Sequence, residues 1–407
     1  MKRLLRVVIL MLVRILGAPG VWQADRKARS TADEQIRILL IRPDHLGDMV
    51  LTTPVLNALR ERIPQAHITM MVGPWSSEVV ARHPAIDRLI TCPFPGFQRA
   101  EQQPLAPYML LLSTAQQVRR GNYDIAINLR PDFWWGAALI YLARIPRRVG
   151  YALTPGKAFL THTLPFSSPE HASLSNLRLL SAGLQALDYA ALEEPLTPEC
   201  YPLHFAATAD EHKEVARQLQ AADISEGTPI VVIHPGTGGA VKLWRSEAWS
   251  HIANDLPTLL SSTMTPRIVL TGTRSEQPLL AEIARDMTSP ALMLTDLTVG
   301  QLAALLARAL IVLGVDNGPL HLAVAQGTPT VQLFGPTDPH IFGPWGDPAR
   351  HIVIASTQRC PSCPAIPCGR LDFTGQELPL HPCVRLIPEQ RMEEAIKKLL
   401  HAGKYVY

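Results

Sequence analysis

The sequence predicts an α/β protein made of two doubly wound, Rossmann-like domains that face a cleft. Two observations favour this class. The chain has 407 residues, too many for one ordinary core, and 47% of them are hydrophobic, enough to fill two. Apolar segments rich in branched residues also alternate with segments of helical period in two series, which is typical of parallel sheets covered by helices on both faces.

The first series begins at residue 36. Its predicted strands are IRILLI (36–41), HITMMV (67–72), DRLIT (87–91) and YDIAINL (123–129), with helices near 47–62, 75–83, 105–120 and 133–144. The second series predicts strands at 229–234, 267–272, 291–295, 309–315 and 328–334, separated by helices near 246–260, 276–287, 298–308 and 317–326. The stretch 188–228 predicts a linker and one helix (209–222). We therefore expect domains over 36–200 and 201–407, the second ending in a helix.

Residues 1–35 form a leader of different character. Residues 1–29 carry a net charge of +6 within a chain of +3, so the remainder is at −3, which excludes a basic nucleic-acid binder. The apolar run 7–13 is too short to span a bilayer, and the residues after it form a poor signal-peptide cleavage site. A helix lying on an anionic membrane surface fits this pattern, with a poorly ordered leader as the alternative. We expect a cytoplasmic protein, peripherally bound to the inner face of the cytoplasmic membrane.

Four of the six cysteines fall within 24 residues, at Cys360, Cys363, Cys368 and Cys383. In a cytosolic chain such clustering indicates metal or redox chemistry rather than a disulfide framework. The first pair has the spacing of zinc ligands, so the loop 360–383 is a candidate structural zinc site. Reduced thiols or redox-labile pairs in a surface loop are the alternative.

Common nucleotide motifs are missing from the sequence. The nearest approach to G-x-G-x-x-G begins at Gly236 and ends in Val241, and neither a P-loop nor a D-x-D motif occurs. These absences disfavour hydride transfer, P-loop hydrolysis and a transferase that holds its diphosphate through a metal ion.

Residues 41–60 form the first of three motifs that carry chemistry. A predicted strand ends at Ile41, and Gly47 and Asp48 open a helix at its carboxyl end, where open α/β sheets bind ligands. We expect the Asp48 carboxylate to point into the cleft. The alternative is an acid that only stabilises the positive end of its helix.

Two glycine-rich motifs follow in the second half. In residues 234–249, a glycine-rich turn with Gly238 lets backbone N–H groups approach a phosphate closely, Thr237 is an added donor, and Lys242 supplies a point charge suited to a diphosphate. In residues 314–339, Asp316 and Asn317 can cap a helix that starts at Gly318, and a helix start is an anion site. His321, one turn inside, can direct a ring N–H toward the same anion. The alternatives are a solvated lysine, a simple cap and a packed histidine.

The order and separation of these motifs resemble glycosyltransferase family 9, the ADP-heptose:lipopolysaccharide heptosyltransferases, over roughly residues 36–400. The resemblance implies a GT-B fold, metal-independent catalysis and inversion of the anomeric centre. It also implies that Asp48 is the general base, that Lys242 binds the diphosphate, and that the family's helix start falls on Asp316, Gly318 and His321. The leader and the cysteine-rich loop depart from the best-known members, which leaves the acceptor open.

We therefore predict an inverting glycosyltransferase that needs no cofactor for catalysis. Its donor is expected to be a nucleotide-diphospho-sugar, ADP-heptose above others, held by domain 201–407. Its acceptor, held by domain 36–200, is expected to be a lipopolysaccharide core or a related lipid-linked glycan. Two alternatives remain open: a GT-B nucleotide-sugar epimerase and a non-catalytic, membrane-associated nucleotide-sugar binder.

Overall fold

The computed structural model describes residues 2–26, 35–97, 103, 105–166, 170–260 and 265–402. The chain divides into two compact units, Met1–Tyr201 (unit 1) and Pro202–Tyr407 (unit 2). Each unit has one six-stranded parallel sheet with helices packed against it. The predicted α/β class with two doubly wound, Rossmann-like units is therefore confirmed.

Unit 1 begins with a long helix and then alternates strands and helices. Its strands are β1 (Arg37–Arg42), β2 (His67–Val72), β3 (Arg88–Thr91), β4 (Ile125–Asn128), β5 (Arg147–Tyr151) and β6 (His162–Leu164). Its helices are α1 (Lys2–Arg26), α2 (Leu46–Val50), α3 (Thr53–Arg62), α4 (Ser77–Val80), α5 (Ala106–Arg119), α6 (Trp134–Leu142) and α7 (Ala172–Ala186).

Unit 2 repeats the alternation. Its strands are β7 (Ile230–His234), β8 (Arg267–Thr271), β9 (Leu292–Leu294), β10 (Ile311–Val315), β11 (Thr330–Phe334) and β12 (His351–Ala355). Its helices are α8 (Ala209–Ala221), α9 (Ser246–Leu260), α10 (Gln277–Arg285), α11 (Val299–Arg308), α12 (Gly318–Ala325), α13 (Pro339–Phe342) and α14 (Glu389–Ala402).

The two sheets have the same topology. The strand order is β3-β2-β1-β4-β5-β6 in unit 1 and β9-β8-β7-β10-β11-β12 in unit 2, and all pairs are parallel. The order reverses between β1 and β4 in the first sheet and between β7 and β10 in the second. Doubly wound sheets bind ligands outside the carboxyl ends of the strands at such switch points, so the topology assigns one candidate crevice to each unit.

The helix predicted over 47–62 is two helices, and the local sequence explains the break. Pro54, in the first turn of α3, has no N–H to donate to the carbonyl of Val50 four residues earlier. The Thr53 hydroxyl donates to that carbonyl at 2.7 Å, and the Thr52 hydroxyl donates to the Asp48 carbonyl at 2.7 Å. The break ends α2 after one turn, so Asp48 lies in a short helix directly after β1.

Helix α1 is part of unit 1 because it packs against α6. Leu10 and Val21 are buried in the same core cluster as the buried side chains of α6. The Tyr141 hydroxyl donates to the Arg14 carbonyl at 2.8 Å. A Cβ at Gly17 would lie 2.7 Å from the Tyr141 ring, so only glycine permits this close approach. No helix in the described part of the chain combines the length and the apolar character needed to cross a membrane.

Candidate functional site

The carboxyl edge of the first sheet holds a buried ion-pair network. Arg42, the last residue of β1, places Nε 2.7 Å from Asp44 Oδ2. Its Nη1 donates to Asn176 Oδ1 at 3.1 Å and to the Leu129 carbonyl at 3.0 Å. Arg130, just after β4, pairs with the other carboxylate oxygen of Asp44. Because β1 and β4 flank the switch point, the network lies where this topology binds ligands.

Asp48 is the accessible carboxylate beside this network. Gly47 and Asp48 lie in the first turn of α2, directly after the β1 loop. Asp48 Oδ1 is 3.3 Å from Arg42 Nη2, and its side chain is 30% exposed, whereas that of Asp44 is 3% exposed. Of these two carboxylates, Asp48 is therefore the one that a substrate in the first crevice can reach, while Arg42 restrains it from the protein side.

An aromatic wall adjoins the network. The Trp75 indole N–H donates to the Asp44 carbonyl at 3.0 Å, and its ring stacks on Phe97 with 6.3 Å between centroids. Arg130 Cζ lies 5.0 Å from the Phe97 centroid, and His45 lies 5.6 Å from Trp75. Burial opposes the charge of Arg130, but the carboxylates of Asp44, Asp132 and Asp48 together outweigh it and raise the pKa of the guanidinium. The first crevice thus holds a fixed cation and a flat apolar surface near Asp48.

In unit 2 the loop after β7 is anchored at its start and open at its tip. The Asn317 side-chain amide donates to the Gly236 carbonyl at 2.7 Å. The Thr237 hydroxyl accepts from the Gly239 amide at 3.5 Å, and Gly238 between them is exposed. Binding of a phosphate by the backbone N–H groups of this glycine-rich loop stays a prediction.

Lys242 meets Asp316 across the second switch point. Lys242 follows the glycine loop and Asp316 follows β10, and Lys242 Nζ lies 3.2 Å from Asp316 Oδ2. The Thr337 hydroxyl, after β11, donates to the same carboxylate oxygen at 2.5 Å. The lysine is 14% exposed and the aspartate 8%. Three loops at the carboxyl edge of the sheet therefore converge on one nearly buried ion pair.

The start of α12 differs in detail from the prediction. Asn317 alone is the N-cap: its side-chain oxygen accepts from the Leu320 amide at 3.1 Å, while Asp316 is bound by Lys242. Pro319 has no N–H, so this helix start offers fewer amides to an anion than an ordinary one. Gly318 opens the helix as predicted, and His321 is buried one turn inside it, in the interior of unit 2.

The last residue of β7, beside this crevice, is the buried His234. His234 Nδ1 lies 2.9 Å from the Thr271 hydroxyl oxygen, and burial lowers the pKa of His234 to about 4, despite the Glu276 carboxylate, which raises it. His234 is therefore neutral at neutral pH. Its contact with Thr271 joins the ends of β7 and β8 at the second switch point.

The four clustered cysteines converge with a histidine that the cysteine spacing did not reveal. The ligand atoms of Cys360, Cys363 and His381 all lie within 4.8 Å of one another, and all three residues are buried. Cys363 Sγ is 3.2 Å from His381 Nδ1. Burial together with neighbouring thiols, which include Cys360 and Cys368, raises the pKa of Cys363 to about 11 and that of Cys383 to about 12. Two to four thiols and one imidazole in one buried place form a donor set that suits zinc.

The sequence prediction missed the residues that support the predicted ones. The motifs do not identify Arg42, Asp44 and Arg130 in unit 1, or Thr337 and His381 in unit 2. Arg42 and Asp44 lie two residues apart, on either side of Pro43, at the start of the first motif, and opposite charges at a strand end are a signal that could have found them. Thr337 lies 21 residues from Asp316 and is brought to it only by the pairing of β10 with β11.

Two Rossmann-like sheets of one topology, with a glycine loop and a lysine–aspartate pair at the second switch point, define a nucleotide-binding α/β protein. A sequence model of glycosyltransferase family 9 (heptosyltransferase) matches residues 111–368. The match covers more than half of the chain, which therefore belongs to this family. The predicted family is confirmed, and membership favours the transferase over the epimerase alternative. The matched region includes Lys242 and the start of α12, but not Asp48.

Two relatives found by sequence comparison are lipopolysaccharide heptosyltransferases. The chain is 28% identical over 328 residues to lipopolysaccharide heptosyltransferase 3 of Escherichia coli (strain K12), covering 78% of this chain and 87% of that protein. It is 27% identical over 328 residues to lipopolysaccharide heptosyltransferase 1 of Pseudomonas aeruginosa, covering 78% and 83%.

Solved structures share the fold. A glycosyltransferase family 9 protein from Veillonella parvula aligns with a TM-score of 0.72 at 22% identity, covering 90% of this chain and 98% of that one. The E. coli ADP-heptose lipopolysaccharide heptosyltransferase II aligns with a TM-score of 0.66 at 21% identity, covering 90% and 99%. These likenesses confirm the predicted GT-B fold class.

Proposed function

We propose that this chain is an inverting heptosyltransferase that moves heptose from ADP-heptose to a lipopolysaccharide core or related lipid-linked glycan. The observation that carries the proposal is the Lys242–Asp316 pair at the second switch point, within the region matched by the family. The relatives, which are lipopolysaccharide heptosyltransferases, support the choice of donor and acceptor.

In the proposed reaction, unit 2 holds the diphosphate. Lys242 supplies a positive charge, and the glycine loop and the positive end of α12 supply backbone dipoles. As the bond between the anomeric carbon and the diphosphate oxygen breaks, its electron pair leaves with ADP. The charge that grows on the leaving group is the charge that these groups stabilise.

Unit 1 supplies the base. The acceptor hydroxyl oxygen attacks the anomeric carbon from the opposite side, which inverts the centre, and its proton passes to the Asp48 carboxylate. Arg42 restrains Asp48 at 3.3 Å and is itself fixed by Asp44 and Asn176. A base held in this way loses little freedom when the acceptor binds.

A donor and acceptor screen tests the proposal. Purified chain is incubated with ADP-heptose, other ADP-sugars or UDP-sugars, with and without a lipopolysaccharide-core acceptor, and nucleoside diphosphate release is measured beside the mass of the acceptor. We expect ADP release that depends on acceptor, with the acceptor heavier by one heptose. An isomerised sugar formed without acceptor would indicate the epimerase, and donor binding without any product would indicate a non-catalytic binder.

We also propose that the cysteine cluster holds a structural zinc ion, with Cys360, Cys363 and His381 as three ligands and Cys368 or Cys383 as the fourth. The buried donor set supports this, because cysteine thiols that give up their protons to zinc bind it tightly. Protein purified under reducing conditions should contain about one zinc per chain by elemental analysis. Cys363→Ser should lose the metal, whereas Cys200→Ser, an exposed cysteine outside the cluster, should retain it. Metal-free protein with an unchanged melting temperature would contradict the assignment.

Finally, we propose that the protein acts at the inner face of the cytoplasmic membrane and that α1 binds the anionic lipid surface. The +6 charge of residues 1–29 and the exposed side chains Met11, Leu12, Ile15 and Trp22 support this. Co-sedimentation with anionic liposomes that is reversed by high salt is the expected result. Because α1 covers part of α6, substitutions on its exposed face test this better than deletion, which would uncover buried surface.

A further inference from the structure

Helix α1 is apolar on two opposite faces. One face, with Leu10, Gly17 and Val21, lies against α6 and the core of unit 1. The other presents Met11, Leu12, Ile15 and Trp22, each more than half exposed, at spacings that fall on one side of a helix. Packing against α6 accounts for the first face, whereas Met11, Leu12 and Ile15 on the second are exposed large apolar side chains.

Helix α5 presents a second apolar stripe. Leu105, at its N-cap, Met109 and Leu112 follow an i, i+4, i+7 pattern and are 60–70% exposed. The core side of the same helix is formed by Leu111, Ala115 and Val118, which are buried. Apolar side chains therefore occupy two sides of α5, although one side would suffice to attach it to the sheet.

The two helices that carry the stripes both pack against α6. The Trp135 indole N–H donates to the Pro107 carbonyl of α5 at 2.9 Å, and Tyr141 at the other end of α6 contacts α1. α6 has nine residues and is only about 14 Å long, so α1 and α5 contact it at neighbouring points. Among the described residues, these two helices contribute seven of the twelve large apolar side chains that are exposed. Such a concentration marks an interaction surface.

The charge of the three helices selects the partner. The sequences of α1, α5 and α6 contain six basic residues and one acidic residue, Asp25. Arg14 and Arg119 are exposed on the same two helices as the apolar stripes. A second copy of this basic surface would repel the first, whereas an anionic bilayer attracts it and accepts the apolar side chains.

We propose that α5 is a second membrane-binding element, and that Leu105, Met109 and Leu112 enter an anionic bilayer beside the exposed face of α1. The inference rests on the membrane association proposed above and extends it. Contacts from two helices restrict the orientation of unit 1 on the lipid, because one helix alone can roll about its axis.

The test compares three sets of substitutions in the full chain. The α5 variant is Met109→Gln/Leu112→Gln, the α1 variant is Met11→Gln/Ile15→Gln, and the matched control is Met293→Gln/Leu386→Gln, which alters exposed apolar residues of unit 2. Binding is measured by co-sedimentation with phosphatidylglycerol-containing vesicles and with neutral phosphatidylcholine vesicles. Circular dichroism and ADP affinity verify that every variant is folded.

We expect the α5 variant to need about tenfold more anionic lipid for half-maximal binding, since two apolar side chains no longer enter the bilayer. The α1 variant should bind the anionic vesicles similarly weakly. A variant that carries all four α1 and α5 substitutions should not bind them, and the control should bind like the unaltered chain. If the α1 variant loses binding and the α5 variant does not, the membrane association stands and the role of α5 is refuted. If the unaltered chain does not bind vesicles, both proposals fail. A dimer in solution that the α5 variant dissociates would also refute the role of α5.

Discussion

The two units have one topology and opposite chemistry at their switch points. In unit 1, a buried arginine organises two carboxylates, one hidden and one 30% exposed. In unit 2, a nearly buried lysine and aspartate meet at 3.2 Å beside a glycine loop and a helix start. The first arrangement suits accepting a proton, and the second suits holding a diphosphate. Strand order alone therefore gives each unit the same candidate crevice, while the residues after each strand give the two crevices different chemical groups.

The largest expected effect is that of Asp48→Asn. If Asp48 is the base, turnover should fall by roughly 10²–10⁴-fold, the usual contribution of general-base catalysis, while ADP affinity stays the same. Steady-state kinetics and calorimetry on one preparation measure both. Asp210→Asn, a surface substitution on α8, is the control and should leave both unchanged. Near-normal turnover of Asp48→Asn would show that Asp48 is not the base, and that unit 1 does not supply the proton acceptor through this residue.

Arg42→Lys should have the next largest effect. Lysine keeps the charge but loses the fork that contacts Asp44, Asp48 and Asn176 together, so we expect a decrease of about tenfold to a hundredfold in turnover. The pH–rate profile should also shift, because the cation beside Asp48 changes position. A variant with a lower melting temperature but an unaltered pH profile would mean that Arg42 serves the fold only.

A substitution of Lys242 tests the proposed binding of the diphosphate by unit 2. Lys242→Met should weaken ADP binding by about 1–3 kcal/mol, the value of a charged hydrogen bond. Part of this loss comes from the Asp316 carboxylate, which the lysine no longer neutralises and which repels the diphosphate. The double variant Lys242→Met/Asp316→Asn should therefore bind ADP more tightly than Lys242→Met alone, by calorimetry. Equal affinity of the single and double variants would show that Asp316 does not face the phosphates.

The smallest effect concerns stability in acid. Burial lowers the pKa of His234 and of His351 to about 4 in the folded chain, below the ordinary value of 6.5. The unfolded chain therefore binds more protons between pH 6.5 and 4, and the free energy of unfolding should decrease as the pH falls through this range. His234→Gln should reduce the dependence by about one proton in urea titrations. An unchanged slope in that variant would show that His234 is protonated in the folded protein.

Most of the fold was predictable because its strands are buried on both sides. Strands such as β1 and β7 are continuous apolar runs, which the sequence displays directly. Three strands were missed for physical reasons. β5 opens with two arginines, β6 has three residues and two of them are exposed, and β12 follows a turn-rich segment. β6 is also an edge strand, and short edge strands carry little of the apolar pattern on which such predictions depend.

The candidate site was predictable only in part. Asp48, Lys242 and Asp316 stand in motifs beside glycine, and local sequence identifies them. The contacts that define their chemistry join distant segments: Arg42 to Asn176, and Lys242 to Asp316, which are 74 residues apart. The zinc proposal shows the same limit, because His381 joins Cys363 only through the folded path of the loop.

The docking of α1 on α6 has a consequence for synthesis. The Tyr141 hydroxyl bonds to the Arg14 carbonyl, 127 residues earlier in the chain. At roughly 5–20 residues per second, α1 leaves the ribosome roughly 6–25 s before its partner helix exists. During that interval both of its apolar faces are uncovered on the nascent chain. If α1 binds lipid as proposed, a membrane surface near the ribosome can cover one of them at once, and the growing polypeptide then binds the membrane before its first sheet is complete.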